Sequence, residues 1–306
     1  MDDTMTMIRR LQKPQGCVDA VLDTDAYNEI DDQFAIAYML RSQDRMRVRA
    51  IYAAPFYNQK SSGARDGMIK SYDEIKHVLH IAGREDLYPA VCRGSEQFLS
   101  DERTPVASPA AQALIALSQS YTAEYPLYVI AIGAITNIAS ALLIDPELRQ
   151  RIALIWLGGN AWHMDNTREF NMRQDVAAAR VVFGCGVPLV QLPCLGVADQ
   201  FYTTKPELEY WLKGKNPLCD YLVSNTVAEA ESYAAGKPWS RVIWDVTAVA
   251  WLTGAGDEFM RDRIDSSPIP QYDHHYSFDK NRHFMRYVYR INRDALMMDL
   301  FKKLAG

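Results

Sequence analysis

Asp23, Asp25, Glu29, Asp31 and Asp32 put five carboxylates into ten positions of the stretch VLDTDAYNEIDDQFAIAYML, residues 21–40, directly behind an apolar run. Like charges at that density repel one another unless water, cationic partners or a metal ion offset them. Hard divalent ions take oxygen ligands, and Ca2+ takes roughly six to eight, mixing carboxylates with backbone carbonyls and waters. Asp23 and Asp25 alternate in strand register and would share one face of a straight strand. Asp31 and Asp32 open the helical pattern that follows, where acids also meet the positive end of a helix dipole. A metal site and a plain acidic helix start both account for this stretch taken alone.

Two later stretches carry related chemistry. WDVTAVAWL, residues 244–252, sets Asp245 before a small-residue helical run. WLGGNAWHMDNTREFNMRQDVAAARVVF, residues 156–183, has a Gly-Gly-Asn turn and then Glu169, Asn171 and Asp175 ahead of a helix. A carboxylate beside an amide offers both acceptors and donors, which suits sugar hydroxyls. Turn-making and helix capping are the other uses of these residues, and they suit Asp175 better than the Glu169–Asn171 pair. His163, His274, His275 and His283 stand in late loops; QYDHHYSFD places His274 and His275 in a polar segment that reads as surface.

The elements that must position these residues alternate short β-rich runs with longer helical ones. CVDAVLD, VRAIYAA, LYVIAIG, IALIWLGG and VPLVQLP read as strands. DDQFAIAYMLRSQ, residues 60 to 82, AITNIASALLIDPELRQ and QDVAAARVVFGCG read as helices, with Thr136 a possible cap and a glycine closing the last. The expected fold is α/β: a doubly wound, mainly parallel sheet with helices on both faces. Ligands of such sheets lie beyond the carboxyl ends of strands. Asp23 and Asp25, Ile132 and Gly133, and Gly158 to Asn160 all fall there. Residues 200–240, rich in Tyr and Trp, are expected as a helical cap portion. A polar arm over 1–16 precedes one domain over 17–306.

Composition removes several function classes. The formal net charge of −5 and the lack of a long Lys/Arg block argue against a nucleic-acid surface. No apolar run approaches the ~20 residues of a membrane span, and the N-terminal segment has no apolar core of a secretory signal. Five scattered cysteines without CxxC spacing suit reduced thiols in a cytoplasm. There is no P-loop, GxGxxG turn, HExxH or GxSxG elbow.

In this order, DTDAYNEIDDQFAIA, IGAITN (132–137), the GGN…EFN…D element and the late Asp245 resemble the inosine–uridine preferring nucleoside hydrolase family, from about residue 18 to the C-terminus. The resemblance implies hydrolysis of the N-glycosidic bond of ribonucleosides with Ca2+ held by Asp25, Asp32, Asp245 and the backbone carbonyl of Ile132. It implies Asn160, Glu169, Asn171 and Asp31 on the ribose hydroxyls, Asp25 as general base, and assembly into dimers or tetramers. Three departures stand out. The loop between Asp25 and Asp32 is two residues longer than usual; it can bulge outward without moving the strand end or helix start, or it can bring Glu29 or Asn28 in as a further ligand. Asn58 in AAPFYNQK only approximates the family's strand-end asparagine. Trp244 replaces the histidine many members place before the last metal aspartate; it resembles the purine-preferring subgroup, whose indole stacks on the base, so purine nucleosides are expected to be slightly favoured. That subgroup's second tryptophan has no clear counterpart, with Trp162, Tyr88 and Phe98 the nearest choices.

Two rivals come from other classes. A haloacid-dehalogenase-type phosphatase would use Asp23 as nucleophile with Mg2+, but leaves GGN…EFN unexplained. A calcium-dependent nucleoside or pentose binder would keep the site and lack turnover.

Overall fold

The computed structural model describes residues 4–306; the first three residues of the expected arm lie outside the described residues. Twelve strands are formed among the described residues. They are β1 (Val18–Thr24), β2 (Met46–Ala53), β3 (Val91–Arg93), β4 (Leu127–Ala131), β5 (Ile152–Leu157), β6 (Leu189–Leu192), β7 (Tyr202–Thr203), β8 (Arg241–Val242), β9 (Met260–Ser266), β10 (Ile269–Pro270), β11 (Tyr276–Ser277) and β12 (Phe284–Ile291). Eight build the main sheet in the order β3-β2-β1-β4-β5-β6-β12-β9. Every neighbouring pair is parallel except β12–β9. Chain order runs outward in both directions from β1 and β4, so the switch point, where such sheets open a crevice, lies between them.

Strand side chains alternate between two buried faces. Leu22, Ile130 and Ile155 pack with the helices Asp31–Leu40, Ala64–Ile81, Val246–Thr253 and Arg293–Ala305. Val21, Val129, Leu154 and Trp156 pack with Pro109–Ser118, Thr136–Ile144 and Val176–Gly184. Burial on both faces explains why the central strands read as continuous apolar runs. All ten residues of Asp31–Leu40 are buried, Asp31 and Asp32 included. Sandwiched between the sheet and neighbouring helices, this helix carries its first-turn acids into the interior.

The arm is partly helical and docked: Thr4–Arg10 is a helix, Met7 and Leu11 are buried, and Arg10 donates to Gln150 Oε1 at 3.1 Å. The expected helical cap portion packs beside the sheet's helices, and none of residues 200–240 lines the site cavity. Helix Pro217–Ala234 is tied sideways, with Tyr221 donating to Glu74, Asn225 to Gln33 Oε1 (2.6 Å) and Asn216 to the Leu304 carbonyl (2.9 Å). The antiparallel edge pair β9–β12 has no counterpart in the strands read from sequence. No helix among the described residues is long and apolar enough to cross a membrane, and all five cysteines are free thiols.

Candidate active site

β1 ends at Thr24, and the chain turns at once, with the Asn28 N–H donating to the Asp25 carbonyl at 2.7 Å. In the enlarged loop Tyr27 bulges outward, 43% exposed, while Asn28 and Glu29 turn back to line a cavity of about 240 Å³. Asp25, Asp31, Asp32, Ile132 and Asp245 line the same cavity. Thr24 Oγ1 donates to Asp32, fixing one oxygen of that carboxylate. Gly133 permits the close approach of Asp25: a Cβ there would sit 2.9 Å from Asp25 Oδ1.

Carboxylate oxygens of Asp31, Asp32 and Asp245 lie within 4.8 Å of one another. Asp31, expected at the sugar, thus joins the cluster, whereas Asp25, expected as a ligand, lines the same cavity outside that group of three and feels Asp32 most strongly among the neighbouring carboxylates. Burial, reinforced by like charge, raises all four. Asp25 rises well above its ordinary value through burial and then Asp32, Asp32 and Asp245 through burial and then Asp31. Burial and then Glu29 bring Asp31 to about 7, against the pull of Arg241. Asp25 Oδ2 and Asp31 Oδ1 are buried without a hydrogen-bond partner. Clustered, orphaned oxygens with no cation in the lining are a donor set that fits a hard divalent ion.

Asp23 does not face this cavity. Its carboxylate accepts from Asn137 Nδ2 at 2.8 Å beneath the strand end, and burial lifts it to about 7. The shared-face expectation fails because β1 ends between the two aspartates and Asp25 leaves the strand register. Asn137 also donates to the Ala53 carbonyl (3.1 Å) and accepts from Ser95 N (2.7 Å) and Oγ (2.9 Å). Asn137→Ala is therefore expected to destabilise the fold by about 3 kcal/mol in urea titration, since several buried polar groups lose their partners together.

Across the cavity, Gly159 adopts φ +74°, where a Cβ would strike the Tyr276 hydroxyl at 2.2 Å. Its N–H donates to Glu169 Oε2 at 2.7 Å. Glu169 is the N-cap of helix Phe170–Gln174, accepting also from Asn171 N (2.6 Å) and Met172 N (3.0 Å). Asn171 Nδ2 bridges the carbonyls of Ile132 and Leu157, both at 3.0 Å, which aims its Oδ1 elsewhere. Asn160 Nδ2 donates to the Asn166 carbonyl at 3.0 Å. Asn160, Glu169 and Asn171 thus all line the cavity while holding backbone. Asp175 is structural, capping Val176–Gly184 and accepting from Thr136 Oγ1 (2.7 Å).

Trp244 is half-buried and lines the cavity, with Phe170, Leu157, Cys194 and Leu195 as further apolar walls. Those four, and Arg241 behind Glu29, were not singled out from sequence; an apolar wall residue has no local signal apart from core. Asn58 stays outside, donating to Asn28 Oδ1 at 2.6 Å. Trp162 packs on Tyr287 with the rings tilted 30° (centroids 4.0 Å apart), Tyr88 donates to the Lys76 carbonyl, and neither these nor Phe98 line the cavity. None of the six histidines lines it either. His163 and His275 are exposed, His274 holds a left-handed turn with φ 65°, and His283 is lowered to about 4 by burial and Arg282.

Residues 20–287 match the sequence profile of the inosine–uridine preferring nucleoside hydrolases. The chain belongs to that family. It is 34% identical over 159 residues to the non-specific ribonucleoside hydrolase RihC of Salmonella schwarzengrund, covering 51% of this chain and 49% of that protein. To the pyrimidine-specific ribonucleoside hydrolase RihA of Escherichia coli it is 32% identical over 139 residues, covering 42% and 43%. Alignments to the curated relatives thus span about two fifths to two thirds of their length. A solved plant nucleoside hydrolase shares the fold with TM-score 0.75 at 20% identity, over 94% of this chain and 99% of that one. Within the family frame, the phosphatase alternative falls: its nucleophile would be Asp23, which is sealed under Asn137.

Proposed function

We propose that the protein hydrolyses the N-glycosidic bond of ribonucleosides to free base and ribose, with one Ca2+ at the strand ends. The observation that carries this reading is a cavity lined by the clustered Asp31, Asp32 and Asp245, by Asp25, and by Asn160, Glu169 and Asn171. Asp25, Asp32, Asp245 and the Ile132 carbonyl would hold the ion, with Asp31 in reach of both ion and sugar. The bound ion supplies a positive charge that keeps these carboxylates ionised and acidifies a neighbouring water. Asp25, with its unpartnered Oδ2 against the cluster, takes the proton of the attacking water. Attack at C1′ passes through an oxocarbenium-like state, which the surrounding carboxylates stabilise. Asn171 Oδ1 and Glu169, both anchored by backbone, fix the sugar hydroxyls.

The base lies on the Trp244 side, and purines are favoured through stacking on the indole. Release of free base and ribose from a panel of purine and pyrimidine ribonucleosides tests the activity. Trp244→Ala should lower kcat/KM for inosine by roughly 10- to 100-fold, the scale of one base–aromatic stack. Loss on 4-nitrophenyl riboside, whose leaving group is activated, should be smaller. Equal losses would make Trp244 a packing residue, and tight nucleoside binding without cleavage would make the protein a binder. The 2′-deoxy analogues should be rejected, because a site built for a diol leaves buried polar groups unpaired without it.

A further inference from the structure

Taking the hydrolase reading as given, we infer that the preferred substrates are ribosides whose departing heterocycle carries a positive charge, a pyridinium or an N-alkylated purinium. Six carboxylates line the cavity, Asp25, Glu29, Asp31, Asp32, Glu169 and Asp245, and no Lys, Arg or His joins them. One divalent ion offsets two of those charges. Glu29 differs from the rest: it stands outside both the aspartate cluster and the N-cap, on the wall between this cavity and a second one of about 360 Å³. Two cations, Arg241 and Lys60, stand there against three carboxylates, Glu29, Glu229 and Glu74, so the wall keeps a net negative charge. Arg241 bonds Glu29 and lies 3.8 Å from Glu229, Lys60 lies 3.3 Å from Glu229 and donates to the Asn28 carbonyl at 2.7 Å, and Glu74 adds a further carboxylate to the second cavity.

Trp244 and Phe170 add aromatic rings to this negative enclosure. A flat cation gains from both features, by cation–π attraction on the ring faces and by the field of the carboxylates. The bond chemistry points the same way. A neutral base leaves as an anion unless a side chain or solvent hands it a proton; the lining has no histidine, lysine or tyrosine to do so, and its clustered carboxyls are the ones a bound ion would keep ionised. With a cationic heterocycle, the water oxygen bonds to C1′ as the C1′–N bond breaks, and its electron pair returns to the ring nitrogen. The heterocycle departs neutral, no proton is delivered to it, and the water's proton passes through Asp25 to solvent.

Three ribosides separate charge from mere reactivity: nicotinamide riboside (cationic), inosine (neutral, in need of a proton) and 4-nitrophenyl riboside (neutral, activated). Expected is a kcat/KM for nicotinamide riboside at least ~10²-fold above inosine, the scale of a missing general acid. Glu29→Gln should lower the ratio of nicotinamide riboside to 4-nitrophenyl riboside by about tenfold, as should raising salt, since both weaken the local field. In wild-type protein, 1-methylnicotinamide should inhibit 4-nitrophenyl riboside cleavage far better than nicotinamide, which lacks the charge; this holds whether or not the variant folds. Inosine cleaved as well as nicotinamide riboside overturns the inference, as does a ratio untouched by Glu29→Gln and salt together with equal inhibition by the two nicotinamides. In those cases 4-nitrophenyl riboside is still cleaved and the hydrolase reading stands. No cleavage of any riboside removes both.

Discussion

Asp25→Asn should lower riboside turnover by at least ~10²-fold, the lower scale for losing a general base, while leaving the protein folded. Asp25 is 1% exposed, its Oδ2 has no partner, and among its neighbours the Asp32 carboxylate repels it most. The amide has nearly the same shape, so the close fit against Gly133 survives. It also removes one buried charge from a repelling set, so the metal-free variant should unfold at an equal or higher urea midpoint than wild type. That pairing of lost activity with kept stability separates a catalytic carboxylate from a packing residue. Full turnover in the variant would take Asp25 out of the mechanism, and a collapsed midpoint would mean the carboxylate holds the loop.

Ca2+ should raise the thermal midpoint of dialysed protein, and by more at pH 8 than at pH 5. The sign follows from carboxyls that are raised in the folded state. Asp31 is lifted to about 7, and Asp25, Asp32 and Asp245 are lifted as well, by burial first and neighbouring carboxylates next. In the unfolded chain such groups release their protons near about 4. Their contribution to metal-free stability is therefore present below that value and lost as pH climbs through about 7. A divalent ion replaces those protons, so its binding strengthens with pH and stabilises where the metal-free protein is weakest. At a hundredfold excess over its dissociation constant the gain is about 2.7 kcal/mol. Asp245→Ala should weaken Ca2+ binding at least ~10-fold, with activity partly restored by added Ca2+. Equal stabilisation at both pH values, or none, would mean the cluster is not the ion's site.

Much of this was readable along the chain. The alternation of apolar strands with helices is a local property of backbone geometry, so β1, β2, β4, β5 and β6 and the helices between them were legible, and with them the mainly parallel sheet. DTDAYNEIDD, GGN…EFN and Asp245 stood out because each is a short run placed at a strand end or helix start, where the fold leaves side chains free to meet a ligand. The β9–β12 edge was missed although FMRYVYRI carries the aromatic and β-branched residues of a strand; what the tertiary structure adds there is the antiparallel pairing with β9. Tertiary structure also decided which acids act together. Asp23 and Asp25 look equivalent by spacing, yet Asn137, 114 residues away, seals the first while the second turns into the cavity. Arg241 meets Glu29 across 212 residues. Such pairings depend on strand order and on how the helix Asp31–Leu40 is buried. Buried charge is compensated by whichever polar group the packing brings within about 3 Å, and chain spacing carries no trace of that distance.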